Sequence, residues 1–280
     1  MAISLVGLQL LASLYVHGVL AHRRSVLEIG AQDVFPNQDD IAAFLARLVG
    51  FRRDGDTAID AELLYKSLGF TVYRCIDADG RHHALTFDLN KDIVQDHHFV
   101  DQFDLVTNFG TTEHVFDQCR VFQNIHAVCA PKGIMIHEVP FHNWLNHGFY
   151  NYQPTFFYDL ADANHYELLG IYLGLPNDLM PYSDGMAQRL SNTDTDIDLL
   201  VVLQKTSEEP FRKPLKGQPP NAVSLKERSH MAFATVEIPE QFFPGVRRPR
   251  ADSTADINLM TTKRLAKALL RRIAKRPVRG

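Results

Sequence analysis

Cysteine is scarce in this sequence: Cys75, Cys119 and Cys129 are the only three in 280 residues, and no Cys-x-x-Cys pair occurs. That excludes a disulfide framework and fits a reducing compartment, so a cytoplasmic protein is expected. Long apolar runs are also lacking. The nearest is the start, residues 1–20, where no Lys or Arg precedes Ala2–Val16, His17-Gly18 interrupt, and Arg23-Arg24 follow. A secretory signal has the reverse order, basic then apolar, and a membrane span needs more uninterrupted length. The expectation for residues 1–24 is a buried helix packed on the domain edge, ahead of a membrane-associated start. No internal repeat is visible.

Charge of one sign is scarce at one end. Residues 245–280 hold eleven Lys/Arg against two Asp/Glu, a formal +9, which leaves −13 on the rest. In 256–280 a basic helix is expected, with Leu265, Leu269 and Ile273 on one side. An amphipathic helix docked on the acidic body accounts for these charges ahead of an anionic membrane surface or an acidic partner. Aromatics are not interleaved with the charges, so no nucleic acid is expected. Residues 205–255 carry seven prolines between Pro210 and Pro249 and little periodicity, which predicts an extended Pro-rich arm.

What remains, 25–204, is rich enough in apolar residues for a full core; the whole chain is 45% hydrophobic and 22% charged. Strands are predicted at Val26–Ile29, Phe70–Ile76, Ala84–Phe87, Phe103–Asn108, Ile134–Val139, His165–Leu173 and Asp198–Leu203. Helices are predicted between them. One is capped by Asn37–Asp40 and carries Ile41, Phe44, Leu45 and Leu48 at helical spacing; others cover Ile59–Leu68, Val115–Cys129 and Phe156–Ala163. Strands alternating with helices give an α/β fold, a mostly parallel seven-stranded sheet with helices on both faces.

The run Ser25-Val26-Leu27-Glu28-Ile29-Gly30-Ala31-Gln32-Asp33 carries a carboxylate near a strand end and then a glycine loop. This suits a nucleotide-like ligand at the carboxyl end of a parallel strand. A pyrophosphate would need a second glycine where Gln32 stands, which disfavours NAD.

The run resembles the first motif of class I S-adenosylmethionine-dependent methyltransferases, and the likeness extends in order over roughly Ser25–Leu203. It implies a Rossmann-like methyltransferase domain over 25–204 with S-adenosylmethionine as cofactor. Glu28, Gly30, Gln32 and Asp33 then match the loop under the methionine part. Asp77, with Asp79 as its alternative, would accept from the ribose, and Asp88-Leu89 would meet the adenine. Asn108 ends the fourth strand, facing the reactive methyl, and Ala130-Pro131-Lys132-Gly133 resembles the family's Pro-Gly-Gly turn. Two features depart from the pattern: the neighbours of Gly30 are not glycines, and the stretch from Gly30 to Asp77 far exceeds the ~20 residues of a compact dinucleotide unit. The helix over 39–50 reads as an insertion that accounts for the excess.

Two histidine groups complete the candidates. In Gly110-Thr111-Thr112-Glu113-His114 the Thr and Glu suit a helix cap; the resemblance implies a cofactor-side contact for His114, which is also a catalytic candidate with proton transfer left open. In His137-Glu138-Val139-Pro140-Phe141-His142 through His147 the spacing is HExxxH, and Pro140 opposes a continuous helix, so no metal is expected. His142 and His147 would act as base or orient an acceptor hydroxyl, beside an ordinary role in loop hydrogen bonding. The segment Asn146–Phe157 resembles one in small-molecule and glycan-pathway methyltransferases, with Phe149, Tyr150 and Tyr152 as pocket candidates.

The reading is methyl transfer to an oxygen or nitrogen of a small-molecule or glycan-type acceptor, with oligomeric state open. Its rivals are a non-catalytic methyltransferase-like scaffold, an NAD-dependent oxidoreductase and a metal-dependent hydrolase.

Overall fold

The computed structural model describes residues 2–35, 37–190 and 193–215. The basic helix expected over 256–280, and all of the Pro-rich arm beyond 215, lie outside the described residues.

The elements run β1 (Ala2–Ile3), α1 (Leu5–Val16), β2 (Ser25–Ile29), β3 (Asp33–Val34), α2 (Gln38–Val49), α3 (Ala61–Ser67), β4 (Val72–Ile76), α4 (Ile93–His97), β5 (Phe103–Phe109), α5 (Gln118–Val128), β6 (Cys129–His142), α6 (Pro154–Asn164), β7 (Tyr166–Leu175), β8 (Asp178–Pro181), α7 (Asp184–Leu190) and β9 (Ile197–Lys205). Seven strands form one sheet in the order β4-β2-β5-β6-β9-β7-β8, and β1 pairs with β3 beside it. Neighbours β4, β2, β5 and β6 are parallel; β9 is antiparallel to β6 and to β7, and β8 is antiparallel to β7. Five of the seven strands therefore point the same way, with β9 and β8 reversed.

The helices follow from local chemistry. Asn37 accepts from the Asp40 N–H at 2.8 Å to start α2, and Asp60 accepts from Leu63 N–H at 2.8 Å to start α3. Ile41, Phe44 and Leu45 bury one face of α2. Helix α1 is different. Ser4 caps it by accepting from Gly7 N–H, and every residue from Val6 to Leu14 is buried. A helix buried all round has to be an interior helix. Its polar members find partners inside: Gln9 donates to the Asn177 carbonyl at 3.1 Å. Among the described residues no helix is long and apolar enough to cross a membrane.

The strand predicted at Ala84–Phe87 is reduced to one bridge, Ile76 to Leu85. Leu85 trades hydrogen bonds with Cys75 and Asp77, but His82 and His83 before it hold left-handed backbone, and Phe87 N–H turns back to the Leu85 carbonyl at 2.9 Å. The ladder cannot extend either way. The seventh strand is instead β8, a hairpin partner of β7.

The parallel register sets the tips level. Ile29 lies opposite both Ile76 and Asn108, and Asn108 opposite His137. Because β9 runs backwards, its first residues reach the same edge, with Asp198 opposite Pro140. Gly30, Asp77, Gly110 and Glu138 thus line one edge of the sheet.

Candidate active site

The loop after β2 is fixed by its neighbours on both sides. Gly30, at φ +88°, donates to the Ile76 carbonyl at 2.7 Å, a conformation that favours glycine. Ala31 N–H donates to Asp77 Oδ2 at 2.9 Å, while Asp77 Oδ1 accepts from Asp79 N–H at 3.2 Å. Thr111 Oγ1 donates to the Ile29 carbonyl at 2.6 Å from the other side. Gln32 is buried, with its amide folded back onto the Gly30 carbonyl at 3.2 Å, and its Oε1 has no hydrogen-bond partner among the described residues.

Glu28 lies beneath this loop. It is fully buried and accepts from the Tyr73 hydroxyl at 2.7 Å. Burial pushes its pKa up to about 8, against the pull of Tyr73, Tyr65 and the Gln32 amide. Its carboxyl braces the loop from below. Asp33 is exposed and pairs with His82 at 2.9 Å. Asp88 is exposed too; hydrogen bonds from the Asn90 side chain and amide hold its pKa below the usual range. Leu89 beside it is buried, and its carbonyl accepts from Asn124 at 3.2 Å.

Asn108 spends its side chain on the turn that follows β5. Its Oδ1 accepts from the amides of Thr111 and Thr112, and its Nδ2 contacts Thr112 Oγ1 at 2.9 Å and His137 Nδ1 at 3.2 Å. His137 is buried against Phe122 and Phe157, which pushes its pKa down to about 3. It is a neutral structural histidine.

The turn ends in Glu113 and His114. Residues Thr112–His114 form one 3₁₀ turn, and α5 begins only at Gln118 behind its own cap, Asp117. Glu113 therefore caps no α-helix. Its carboxyl faces a cavity of about 320 Å³ at the sheet edge, together with Glu138 and Asp198. Phe35, Phe109 and Trp144 supply apolar wall, and His147 closes one side. All three carboxyls hold their protons more tightly than usual, because burial disfavours the charge and because they repel one another. Glu113 is pushed up to about 7, and Asp198 well above its ordinary value. Glu138 is anchored by the Ser4 hydroxyl, which donates to it at 2.6 Å.

The structure gathers some predicted residues and separates others. His114 and His147 meet, ring centroids 4.9 Å apart, each near Glu113. His142 lies elsewhere, its Nε2 3.2 Å from the Thr193 carbonyl. Tyr152 is core, packed among Phe122, Phe156 and Phe157. Phe149 is exposed against Phe116, and the Tyr150 hydroxyl donates to the Phe116 carbonyl. Sequence reasoning saw Glu138 only as a member of the HExxxH run, and passed over Asp198 and Ser4. Asp198 did leave a signal, as the last of three alternating aspartates (Asp194, Asp196, Asp198) before the apolar run Leu199–Leu203.

No curated protein matches the sequence. Among solved structures, an N1-methyltransferase of 1,6-didemethyltoxoflavin from Burkholderia thailandensis is similar at 16% identity, over 71% of this chain and 78% of that one, with a TM-score of 0.40. The N-methyltransferase NodS from Bradyrhizobium japonicum WM9 is similar at 13% identity, over 71% and 85%, with a TM-score of 0.42. A TehB-like methyltransferase from Corynebacterium glutamicum ATCC 13032 Kitasato is similar at 16% identity, over 69% and 86%, with a TM-score of 0.35. A family model described as a methyltransferase domain matches residues 19–183, more than half of the chain. The chain belongs to the methyltransferase-domain family.

Proposed function

We propose that this chain moves a methyl group from S-adenosylmethionine to an oxygen or nitrogen of a small-molecule acceptor. The observation that carries the reading is a juxtaposition. The Gly30 loop, its Ala31 amide held by Asp77, lies across β5 from a cavity walled by Glu113, Glu138 and Asp198. Methyl transfer needs a donor and an acceptor held in line on neighbouring strand tips.

The residues present fit the donor. Gly30, Ala31 and Gln32 offer a backbone turn and an unpartnered buried Oε1 to its methionine part. Asp77 stands at the β4 tip for the ribose, and Asp88 with Leu89 at the next turn for the adenine. When bound, the donor supplies an electrophilic methyl on a sulfonium. Asn108 works indirectly, by fixing the turn that carries His114. The apolar walls Phe35, Phe109 and Trp144 exclude water from the acceptor. His147, of the two histidines first considered for this role, is the one that reaches the cavity and orients the acceptor there. A pyrophosphate cofactor fits poorly, because the Gln32 side chain folds over the backbone that such a ligand must approach. Buried, unpaired Cys75 and Cys129 support a cytoplasmic setting.

Calorimetry with S-adenosylmethionine, S-adenosylhomocysteine and NAD tests the donor. The parent is expected to bind the first two and not the third, and Asp77→Ala to weaken binding by roughly tenfold, about 1.4 kcal/mol. A parent that ignores both adenosyl compounds overturns the reading. A panel of phenols, amines and sugars then sorts the acceptor.

A further inference from the structure

Glu113, His114 and His147 bring a carboxylate oxygen and two imidazole nitrogens to one point on the cavity rim, with the donor atoms within 4.8 Å of one another. Glu113 Oε1 lies 3.5 Å from His147 Nε2 and 3.8 Å from His114 Nε2. Neither contact is a hydrogen bond of ordinary length. Both are close to the roughly 3.4 Å that separates two ligands placed about 2.1 Å from a shared tetrahedral cation.

A second observation points the same way. The Glu113 side chain is 1% exposed, and neither of its oxygens has a hydrogen-bond partner among the described residues. A buried carboxylate is costly unless a cation or donors meet it. The two segments that carry the three side chains are also clasped. Phe149 N–H donates to the Glu113 carbonyl at 2.8 Å, and Gly148 packs so tightly that an added Cβ would come within 3.0 Å of that same carbonyl oxygen. The positions of the ligands are thus set by backbone contacts. His114 and His147 stay partly open, with side chains 39% and 36% exposed, so a bound ion would keep free positions. Two imidazoles and one carboxylate with open positions form a donor set for first-row divalent metals.

We propose that Glu113, His114 and His147 bind a divalent transition-metal ion, of the Zn²⁺, Mn²⁺ or Co²⁺ class, at the mouth of the cavity. Its free positions would take an oxygen or nitrogen of the acceptor; that last role rests on the proposed function, whereas the binding itself does not. The sequence spacing that argued against metal concerned His137 and His142, and these are engaged elsewhere, with Asn108 and the Thr193 carbonyl. The site draws only His147 from that cluster and completes itself with the Glu-His pair after β5.

The test is titration of the metal-stripped full chain with Co²⁺ and Zn²⁺, followed by calorimetry and visible absorption, with no donor or acceptor present. One equivalent is expected, with a Co²⁺ ligand-field band that Zn²⁺ abolishes. His147→Ala and Glu113→Gln should each weaken binding at least tenfold, and the control His22→Ala, an exposed histidine, should not. His147 is partly open, so its variant is expected to melt as the parent does without metal, and it keeps the test sound if Glu113→Gln misfolds. Absence of the band, or equal binding in parent and His147→Ala, overturns the proposal. A chain that binds Co²⁺ but no adenosyl compound would refute the proposed function and leave this site standing.

Discussion

The carboxyl of Glu28 keeps its proton past the pH at which a free glutamate loses it, since its surroundings are Tyr65, Tyr73 and the underside of a loop. Its pKa is about 8 in the fold against 4.5 for the ordinary group. Between these values the unfolded chain releases the proton and the folded chain holds it, so stability falls as pH rises through that window. Glu28→Gln keeps an acceptor for the Tyr73 hydroxyl and removes the titration. Urea denaturation across the window should show variant and parent matching at its acid end and the variant ahead by about 1–3 kcal/mol near neutrality. A constant difference would show that Glu28 does not carry this proton. The same side chain marks how far sequence reading reaches. Its place before Gly30 was legible; its role was not, because a role under the loop depends on two tyrosines brought from α3 and β4. Glu113 was misleading for a related reason. A glutamate after two threonines reads as a cap, and only the 3₁₀ turn shows that it faces a cavity.

Elements and the loops between them are held by particular residues, and two of these are testable. Lys205, the last residue of β9, is buried and donates to the carbonyls of His126 and Cys129 at 2.8 and 2.9 Å. It thereby satisfies acceptors left open at the end of α5. Lys205→Met keeps the apolar stem and orphans both carbonyls, and should cost about 1–3 kcal/mol by chemical denaturation. At the site, Gly148→Ala would press a methyl group against the Glu113 carbonyl and Cγ. The loop should be forced off the turn at a cost of about 1–3 kcal/mol, and Co²⁺ affinity should fall with it although no ligand has changed. The sequence showed α2 through its cap and apolar spacing, and showed α3 and α5 as helices over roughly the residues they occupy. It did not show β8, because Pro176-Asn177 reads as a loop and a four-residue edge strand has almost no pattern of its own. It overstated the strand after β4, where the apolar Leu85 and Phe87 were visible but the left-handed His82 and His83 were not.

For the molecule as a whole, α1 joins parts that are far apart in sequence. It shares one core with Val26 and Leu105, and with Tyr172 and Leu200 from the far half of the sheet. Leu11 is fully buried there, and Leu11→Ala should cost about 2–5 kcal/mol, read as a lower urea midpoint. That this stretch is apolar was plain from the sequence; that its partners lie so far along the chain was not, since a helix without a polar face gives no hint of which surface it faces.

That reach has a consequence for biosynthesis. Helix α1 leaves the ribosome well before Tyr172, Asn177 or Leu200 exist to receive it, so its greasy surface must wait uncovered until they are made. Ser4, which steadies Glu138, arrives with that segment. Nascent chains halted before β7 should therefore aggregate or recruit chaperones, and should lack a finished cavity wall.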